Sequence, residues 1–421
     1  NIGCTSDKLK QAWFAPRLSL YLYAGRRLPK SYTMDTENIT AETIDDLRPY
    51  YDNEIPAAME RMAQDPTLND VVGYAFPGTD VGKIRQMLLG IRTADEFQMV
   101  FVKGLLENII RGTMSAFTTG GFGKLDTGRG HVYISNHRDI VLDGALLQLF
   151  LLQGGLSTSE ITFGSNLVSS PFVEDFGRSN KMFKIVRGGS TRDLVRNSRI
   201  LSEHLHEVVS QGRSIWISQR DGRTKDGNDR TDQGLIKMFT MVDGEDAVAA
   251  LMGLNISPMA ISYEYESCDG LKAREIYLSR RGPYEKAPGE DMRSILTGVK
   301  QYKGEVHMEA CQPISPEEIG LLDGENPNEV LRNMAALIDS RIISAYKVYN
   351  TNLIAYDIRE GRDHFAGRYN GEDKARFLEY VSRKMDEVDP AQEMERGELG
   401  EIILDIYANP VRNKLEAGMA V

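Results

Sequence analysis

The feature of this sequence that most constrains its fold is a regular alternation of short apolar segments and helical segments between His131 and about Pro313. The short segments are rich in β-branched and aromatic residues, end at turn-forming residues and have the length of strands. They are His131–Ser135, Ile161–Gly164, Phe183–Val186, Ser214–Ser218, Ile256–Glu264, Glu275–Ser279 and Glu305–Ala310. Strands that alternate with helices indicate helical layers on a central sheet. We therefore predict an α/β fold with a mixed sheet flanked by helices.

Helical patterns flank this alternating region on both sides. Before it, apolar residues recur at helical spacing between Pro and Gly residues, and after Pro313 the pattern returns where Asn326-Pro327 opens a long helix. A chain of 421 residues also exceeds one typical domain. We predict a helical N-terminal region at residues 1–118, an α/β catalytic domain at 119–316 and a helical C-terminal region at 317–421.

The composition restricts the possible classes of function. A net charge of −11 argues against nucleic-acid binding, because nucleic-acid binders usually present a broad basic surface. Cys4, Cys268 and Cys311 have no paired spacing, which disfavours a disulfide framework or a zinc knuckle and fits a reducing cytoplasm. The longest apolar stretch, Gly144–Leu156, is interrupted by glutamines and a glycine pair, so we expect no membrane-spanning helix.

The first thirty residues mix aromatic and basic side chains. They are Trp13, Phe14, Tyr21 and Tyr23 together with Lys8, Lys10, Arg17, Arg26, Arg27 and Lys30. Such a mixture suits an anionic membrane surface, and it predicts peripheral attachment to the inner face of a membrane. Ordinary helix packing with solvated charges is the alternative.

His137 is the leading candidate for a catalytic residue. It follows the predicted strand His131–Ser135 and precedes an apolar helix that carries Asp143. A general base needs an orienting partner as well as a suitable pKa, and a carboxylate one helical turn further along could provide that partner.

Cationic residues follow two other predicted strands. Arg187 directly follows Phe183–Val186, and Arg223 and Lys225 come after Ser214–Ser218. If these strands are parallel, their carboxyl ends meet at one edge of the sheet, where α/β proteins bind ligands. Guanidinium groups suit a phosphate, because their planar fork makes two charge-assisted hydrogen bonds. A base beside a phosphate clamp suggests a phosphorylated alcohol as substrate.

A second concentration of cations lies between Arg178 and Arg199. It holds Arg178, Lys181, Lys184, Arg187, Arg192, Arg196 and Arg199 against Asp193 alone. A solvated helix face accounts for some of these charges. On an acidic protein, such an excess could also receive an acidic carrier protein or the phosphates of coenzyme A.

Taken together, these segments resemble the glycerolipid acyltransferases that act on glycerol 3-phosphate or its monoacyl product. Four blocks occur in the order of that family: Asn136-His137 with Asp143, Phe183 to Arg187, Gly222-Arg223-Thr224-Lys225 followed by Gln233-Gly234, and Ile256 to Ile261 with Pro258. The resemblance covers roughly 130 residues and depends on the order of several weak motifs. It implies His137 and Asp143 as catalytic residues. It implies substrate-binding roles for Asn136, Arg138, Arg187, Gly222, Arg223 and Lys225.

The sequence departs from the family pattern at two points. The carboxylate of the first block stands five residues after the histidine in the family, whereas here Leu142 holds that place and Asp143 follows it. Asp139 is a second candidate partner, although a carboxylate there is well placed to cap the helix. The glutamate of the third block is also missing, and Arg220 occupies its place beside Asp221.

The resemblance implies direct acyl transfer from an acyl thioester, either acyl-CoA or acyl carrier protein, as a step of phospholipid biosynthesis. His137 would take the proton of a glycerol hydroxyl, which then attacks the thioester carbonyl. The chain has no G-x-S-x-G nucleophile elbow and no H-E-x-x-H metal motif. We therefore expect no acyl-enzyme intermediate, no metal and no cofactor.

Two alternatives stay open at the level of sequence. The acceptor could be another lysophospholipid or an amino-acid lipid. The dipeptide His137-Arg138 and the Gly222-Arg223 loop, however, look more like the larger enzymes of the family, which acylate glycerol 3-phosphate. The chain could also be a non-catalytic lipid-surface protein, in which the shifted Asp143 and the missing glutamate mark a decayed site.

Overall fold

The predicted alternation folds into one seven-stranded mixed sheet. The structure, a computed structural model, describes residues 43–186, 188–242, 246–322 and 326–421. The strands are β1 (Met114–Gly120), β2 (Val132–Ser135), β3 (Glu160–Gly164), β4 (Met182–Ile185), β5 (Ile215–Ser218), β6 (Ile256–Tyr263) and β7 (Gly304–Ala310). Their spatial order is β1-β7-β6-β2-β5-β3-β4. β7 is antiparallel to β6, and the other neighbouring pairs are parallel.

Helices precede, connect and follow these strands. Before the sheet lie α1 (Ile44–Leu47), α2 (Ile55–Gln64), α3 (Thr67–Ala75), α4 (Val81–Gly90), α5 (Ala94–Glu96), a π-helical segment (Phe97–Val102) and α6 (Lys103–Thr113). Within it lie α7 (Leu142–Gln153), α8 (Pro171–Ser179), α9 (Thr191–Ser210), α10 (Gln233–Phe239), α11 (Ala247–Met252), α12 (Asp269–Ser279) and α13 (Glu290–Lys300). After it come α14 (Pro316–Gly320), α15 (Pro327–Ala345), α16 (Asn350–Glu360), α17 (Gly371–Val388) and α18 (Arg396–Glu416). The prediction of a mixed sheet flanked by helices is confirmed.

Both faces of the sheet are buried. Side chains alternate between the faces of a strand, and in β2 Tyr133 joins one apolar cluster while Val132 and Ile134 join another. The cluster around Tyr133 includes the N-terminal helices and α7, and the opposite cluster includes α9, α10 and α15. A third cluster, built from α12 and α16 to α18, forms the core of the C-terminal helices.

Helix α7 is apolar all round, which is typical of a helix in the interior of a protein. Every residue from Leu142 to Leu151 is buried. A Cβ atom on Gly144 would lie 2.9 Å from Ile161 and 3.1 Å from Trp216. Glycine at this position therefore lets the first turn of α7, which carries Asp143, approach the sheet closely.

The predicted strand at Glu275–Ser279 is wrong, because this segment is the end of helix α12. Its run of Ile276, Tyr277 and Leu278 between polar residues resembles a short strand. In the structure α12 instead buries polar side chains that have partners, such as Lys272 with Glu266 and Glu275 with Lys225. Conversely, Met114–Gly120 was not predicted as a strand, but it pairs with β7 as β1.

The predicted three-part division is not resolved by the fold, since Thr43–Val421 cluster into a single unit. The boundaries at 118/119 and 316/317 stay predictions. The basic and aromatic residues at 1–32 lie outside the described residues. In the described part of the chain, the helices are too short or too polar to cross a bilayer.

Candidate active site

His137 lies just beyond the carboxyl end of β2, at the centre of the sheet. Its Nδ1 is 2.9 Å from Oδ2 of Asp143, which stands in the first turn of α7. The imidazole is 12% exposed, whereas the carboxylate is fully buried. The pairing leaves Nε2 of His137 as the ring nitrogen that can meet a ligand.

Asp143 is held by four donors. Its Oδ2 accepts from Nδ1 of His137 and from the backbone N–H groups of Arg138 (2.6 Å) and Asp139 (2.8 Å). Its Oδ1 accepts from the hydroxyl of Tyr263 at 2.7 Å. Burial and the nearby Asp143 charge raise the pKa of Tyr263 well above its usual value, so this phenol stays a donor. An ionised carboxylate, which only accepts, matches this set.

Asp139 has a different role from Asp143. Its Oδ1 accepts from the N–H groups of Val141 (2.9 Å) and Leu142 (2.8 Å), and its Oδ2 accepts from the hydroxyl of Ser267. These contacts cap the start of α7, as expected for a carboxylate at a helix N-terminus. The geometry therefore pairs His137 with Asp143.

Trp216 on β5 also contacts the imidazole. The two rings meet edge to face, with centroids 5.8 Å apart and an angle of 71° between their planes. The indole N–H donates to Oγ of Ser135 at 2.9 Å, which fixes the indole in turn. An imidazole that is hydrogen-bonded to a carboxylate and packed against an aromatic ring has little freedom to rotate.

His137 lines a cavity of about 580 Å³ at the carboxyl ends of the parallel strands. Part of the cavity wall is formed by the carboxyl ends of β3, β4 and β5 and by the loop that follows β5. Its charged residues are Arg220, Arg223, Lys225, Arg280 and Lys286 with Asp221, Asp226, Glu275 and Asp291. The predicted convergence of His137 with Arg223 and Lys225 thus occurs in one cavity. Arg187 lies outside the described residues.

Arg223 is the cation best suited to receive a ligand. One terminal nitrogen donates to Oγ of Ser294 at 2.9 Å. The other, Nη1, is buried and has no hydrogen-bond partner within the described ranges. Gly222 precedes it with φ of +67°, a left-handed turn that favours glycine. Lys225, by contrast, is already ion-paired with Glu275.

Asn136 and Arg138 turn away from the cavity. The amide of Asn136 donates to the backbone oxygen of Ile261 (2.9 Å) and to Asp229 (3.1 Å). Arg138 is 1% exposed and contacts Asp229 (2.5 Å) and Glu266 (3.3 Å). Neither side chain is among those that line the cavity. Asn136 and Arg138, which were predicted to bind substrate, therefore contact buried residues around the site and not the cavity itself.

The basic segment Arg178 to Arg199 is largely paired. Arg178 donates to backbone oxygens of Asp45 and Arg48, and Lys181 pairs with Asp95 at 2.5 Å. Lys184 lies 3.5 Å from Glu174, and Arg196 lies 3.8 Å from Asp193. This pairing lowers the charge that the segment offers to an acidic carrier protein or to coenzyme A.

Several residues of the site were missed by sequence reasoning. Trp216, Tyr263, Asp229, Ser294, Arg280 and Lys286 contact or line it. Trp216 lies inside a predicted strand, and its alternation with Ile215 and Ile217 could have indicated which face it shares with α7. Ser294 and Lys286 come from distant segments, and no local pattern marks them.

Comparisons with known proteins give a structural similarity but do not assign the chain to a family. No protein-family profile matches the chain, and no curated protein matches its sequence. Among solved structures, the chain is similar to the 1-acyl-sn-glycerophosphate (LPA) acyltransferase PlsC from Thermotoga maritima. The identity is 14% and the TM-score 0.33, over 70% of this chain and 97% of that chain. A TM-score of this size establishes no common fold, so a function for this chain must rest on its own residues.

Proposed function

We propose that this chain is an acyltransferase that moves a fatty acyl group from an acyl thioester to a hydroxyl of glycerol 3-phosphate or 1-acylglycerol 3-phosphate. One observation carries the proposal. His137, which is hydrogen-bonded to the buried Asp143, lines the same cavity as Arg223, whose Nη1 lacks a partner among the described residues. A base and a phosphate-binding group in one cavity match a phosphorylated alcohol as acceptor.

In the proposed reaction, Nε2 of His137 takes the proton of the acceptor hydroxyl as its oxygen attacks the thioester carbonyl. The tetrahedral intermediate then collapses, the C–S bond breaks, and the thiolate leaves with the proton held by His137. The products are an ester and a free thiol. Asp143 stabilises the imidazolium between these steps and keeps the ring in one orientation.

The intact geometry supports an active enzyme over the non-catalytic alternative. The shift of the carboxylate by one residue does not prevent its hydrogen bond to His137, because the turn before α7 absorbs the extra residue. Arg220, in the place of the missing glutamate, lies on the cavity wall. We propose that this cation adds to the attraction for a phosphate.

The proposal is tested by assaying the purified protein with matched acceptors and donors. Acceptors are glycerol 3-phosphate, 1-acylglycerol 3-phosphate, a lysophospholipid with a larger headgroup and an amino-acid lipid. Each is combined with acyl-CoA and with acyl carrier protein, and both the ester and the released thiol are measured. We expect turnover with a glycerol phosphate. Turnover only with another acceptor would contradict the acceptor assignment, and no transfer to any acceptor would favour the non-catalytic alternative.

Replacement of Arg223 by alanine tests the phosphate contact. A charged hydrogen bond contributes about 2 kcal/mol, so we expect the KM for the phosphorylated acceptor to rise roughly 30-fold with little change in the KM for the donor. Lys225→Ala should have a smaller effect, because Glu275 already neutralises its charge. The dephosphorylated acceptor is the control, since its slow acylation should be insensitive to Arg223→Ala. Equal effects on both substrates would remove the assignment.

We also propose peripheral membrane attachment through residues 1–32. Binding of the full chain to vesicles that contain anionic lipid should fall steeply as salt is raised, because charge attraction is screened within about 10 Å at 0.1 M salt. A chain that lacks residues 1–32 should bind weakly at every salt concentration. Unchanged vesicle binding by the truncated chain would place the attachment elsewhere.

A further inference from the structure

The loop 222–229, which follows β5 and carries Arg223 and Lys225, is anchored to the segment that carries His137. The N–H of Thr224 donates to the backbone oxygen of His137 at 2.7 Å. Its hydroxyl donates to Asp229 at 2.8 Å, and Asp229 also accepts from Asn136 and Arg138. These buried contacts connect the inner side of the loop to the catalytic histidine.

The outer side of the loop rests on the last helix of the chain. Helix α18 has a proline, Pro410, in its interior. Proline has no N–H, so the carbonyl of Ile406, four residues earlier, lacks its usual donor in the helix. That carbonyl faces Gly227, and a Cβ atom on Gly227 would lie 2.1 Å from its oxygen. The two backbones are therefore in direct contact.

Neighbouring polar contacts strengthen this junction. The side-chain amide of Asn409 donates to the backbone oxygen of Asp226 at 2.6 Å. The amide of Asn352 on α16 donates to the backbone oxygen of Tyr407 at 2.9 Å. The Tyr407 hydroxyl donates to Asp269 at 2.7 Å and accepts from the N–H of Glu266 at 2.9 Å. The helix is thus fixed at the point where it touches the loop.

We propose that α18 is a positioning element of the active site: it presents the Ile406 carbonyl, which lacks the N–H of Pro410 as a donor, and the Asn409 amide to loop 222–229, and so holds Arg223 and Lys225 in register with His137. The proposal rests on the proposed function for the identity of the ligand. It assigns the C-terminal helices a part in acceptor binding in addition to packing. Gly227 is central, because with φ of +78° and a backbone oxygen against it, only glycine fits.

The first experiment compares two glycine-to-alanine variants. In Gly227→Ala the added Cβ atom would clash with the Ile406 oxygen, and the residue would also be strained by its left-handed backbone. In Gly361→Ala the backbone strain is similar, with φ of +62°, but no atom lies within 4 Å of the added Cβ. We expect Gly227→Ala to lower kcat/KM for the phosphorylated acceptor by about tenfold to a hundredfold, the scale of a displacement near 1 Å. Gly361→Ala should retain normal kinetics. Equal kinetics in the two folded variants would overturn the proposal.

The second experiment removes a side-chain contact without strain in the loop. Asn409→Ala deletes the bond to Asp226 and also the bond that its side-chain oxygen accepts from Arg412 at 2.9 Å. Asn413→Ala, one turn later on α18, is the control, because the Asn413 side chain has no hydrogen-bond partner among the described residues. We expect Asn409→Ala to raise the acceptor KM about fivefold, the size of one neutral hydrogen bond, with kcat and the donor KM nearly unchanged. If Gly227→Ala fails to fold, the comparison of Asn409→Ala with Asn413→Ala alone tests the proposal. A fall in kcat with an unchanged acceptor KM would contradict positioning of the phosphate loop.

Amide hydrogen exchange separates this inference from the proposed function. Exchange of the Thr224 amide, bonded to His137, should quicken in Gly227→Ala and Asn409→Ala and stay slow in both controls. This readout needs no substrate. Faster exchange in a chain without acyl transfer would uphold the positioning role and reject the function, and unchanged exchange in both test variants would reject the positioning role.

Discussion

Replacement of His137 by alanine is expected to lower kcat by roughly 10²–10⁴-fold, because a positioned general base contributes that much to proton transfer. The side chain is almost buried at the cavity wall and, among the described residues, has Asp143 as its hydrogen-bond partner. The loss should therefore affect turnover far more than folding or acceptor binding. Rates from the transfer assay, acceptor affinity from calorimetry and the midpoint of thermal unfolding check these three expectations.

His206→Ala is the matched control for this variant. His206 is half-buried on α9, and its Nε2 lies 3.2 Å from the backbone oxygen of Phe239, away from the cavity. Its replacement should leave kcat unchanged. Near-normal turnover by His137→Ala would remove the proposed mechanism, whatever the control shows.

Replacement of Asp143 by asparagine is expected to be as severe, with a loss in kcat of roughly 10³–10⁴-fold. The amide cannot stabilise the imidazolium that forms during transfer. It also has a single acceptor oxygen, whereas the carboxylate receives His137, two backbone N–H groups and Tyr263. Kinetics should be measured together with thermal unfolding, because a buried amide with unmatched donors also costs stability.

Asp139→Asn separates the roles of the two carboxylates. Its Oδ1 accepts from the N–H groups of Val141 and Leu142, and an asparagine oxygen caps a helix about as well. We expect kcat to change by less than about threefold. An inactive Asp139→Asn beside an active Asp143→Asn would reverse the assignment of the catalytic partner.

The elements of the site could be predicted to different extents. His137, Arg223 and Lys225 follow predicted strands, and their meeting at one sheet edge required only that β2 and β5 be parallel. The burial of Arg138 could not be predicted, because an arginine next to a histidine proposed as the base suggests a contact with a ligand. In the fold it is buried between Asp229 and Glu266, residues about ninety and about 130 positions away.

The strand predicted at Glu275–Ser279 failed for a related reason. A pattern in the sequence treats polar residues as exposed, and α12 buries several of them against partners from other segments. The choice between Asp139 and Asp143 was also open, since the two residues lie on either side of the start of α7. The backbone path of that turn, rather than the residue types, decides which carboxylate reaches the imidazole.

The sequence by itself determined the α/β class, the apolar helix after β2 and the residues able to act as base and phosphate clamp, because these follow from local periodicity and side-chain chemistry. Only the tertiary structure decided the strand order, the partner of His137 and the junction between Gly227 and α18. Each of these depends on contacts between residues far apart in the chain. Such contacts are fixed by packing and by the need to pair buried polar groups, which no local pattern records.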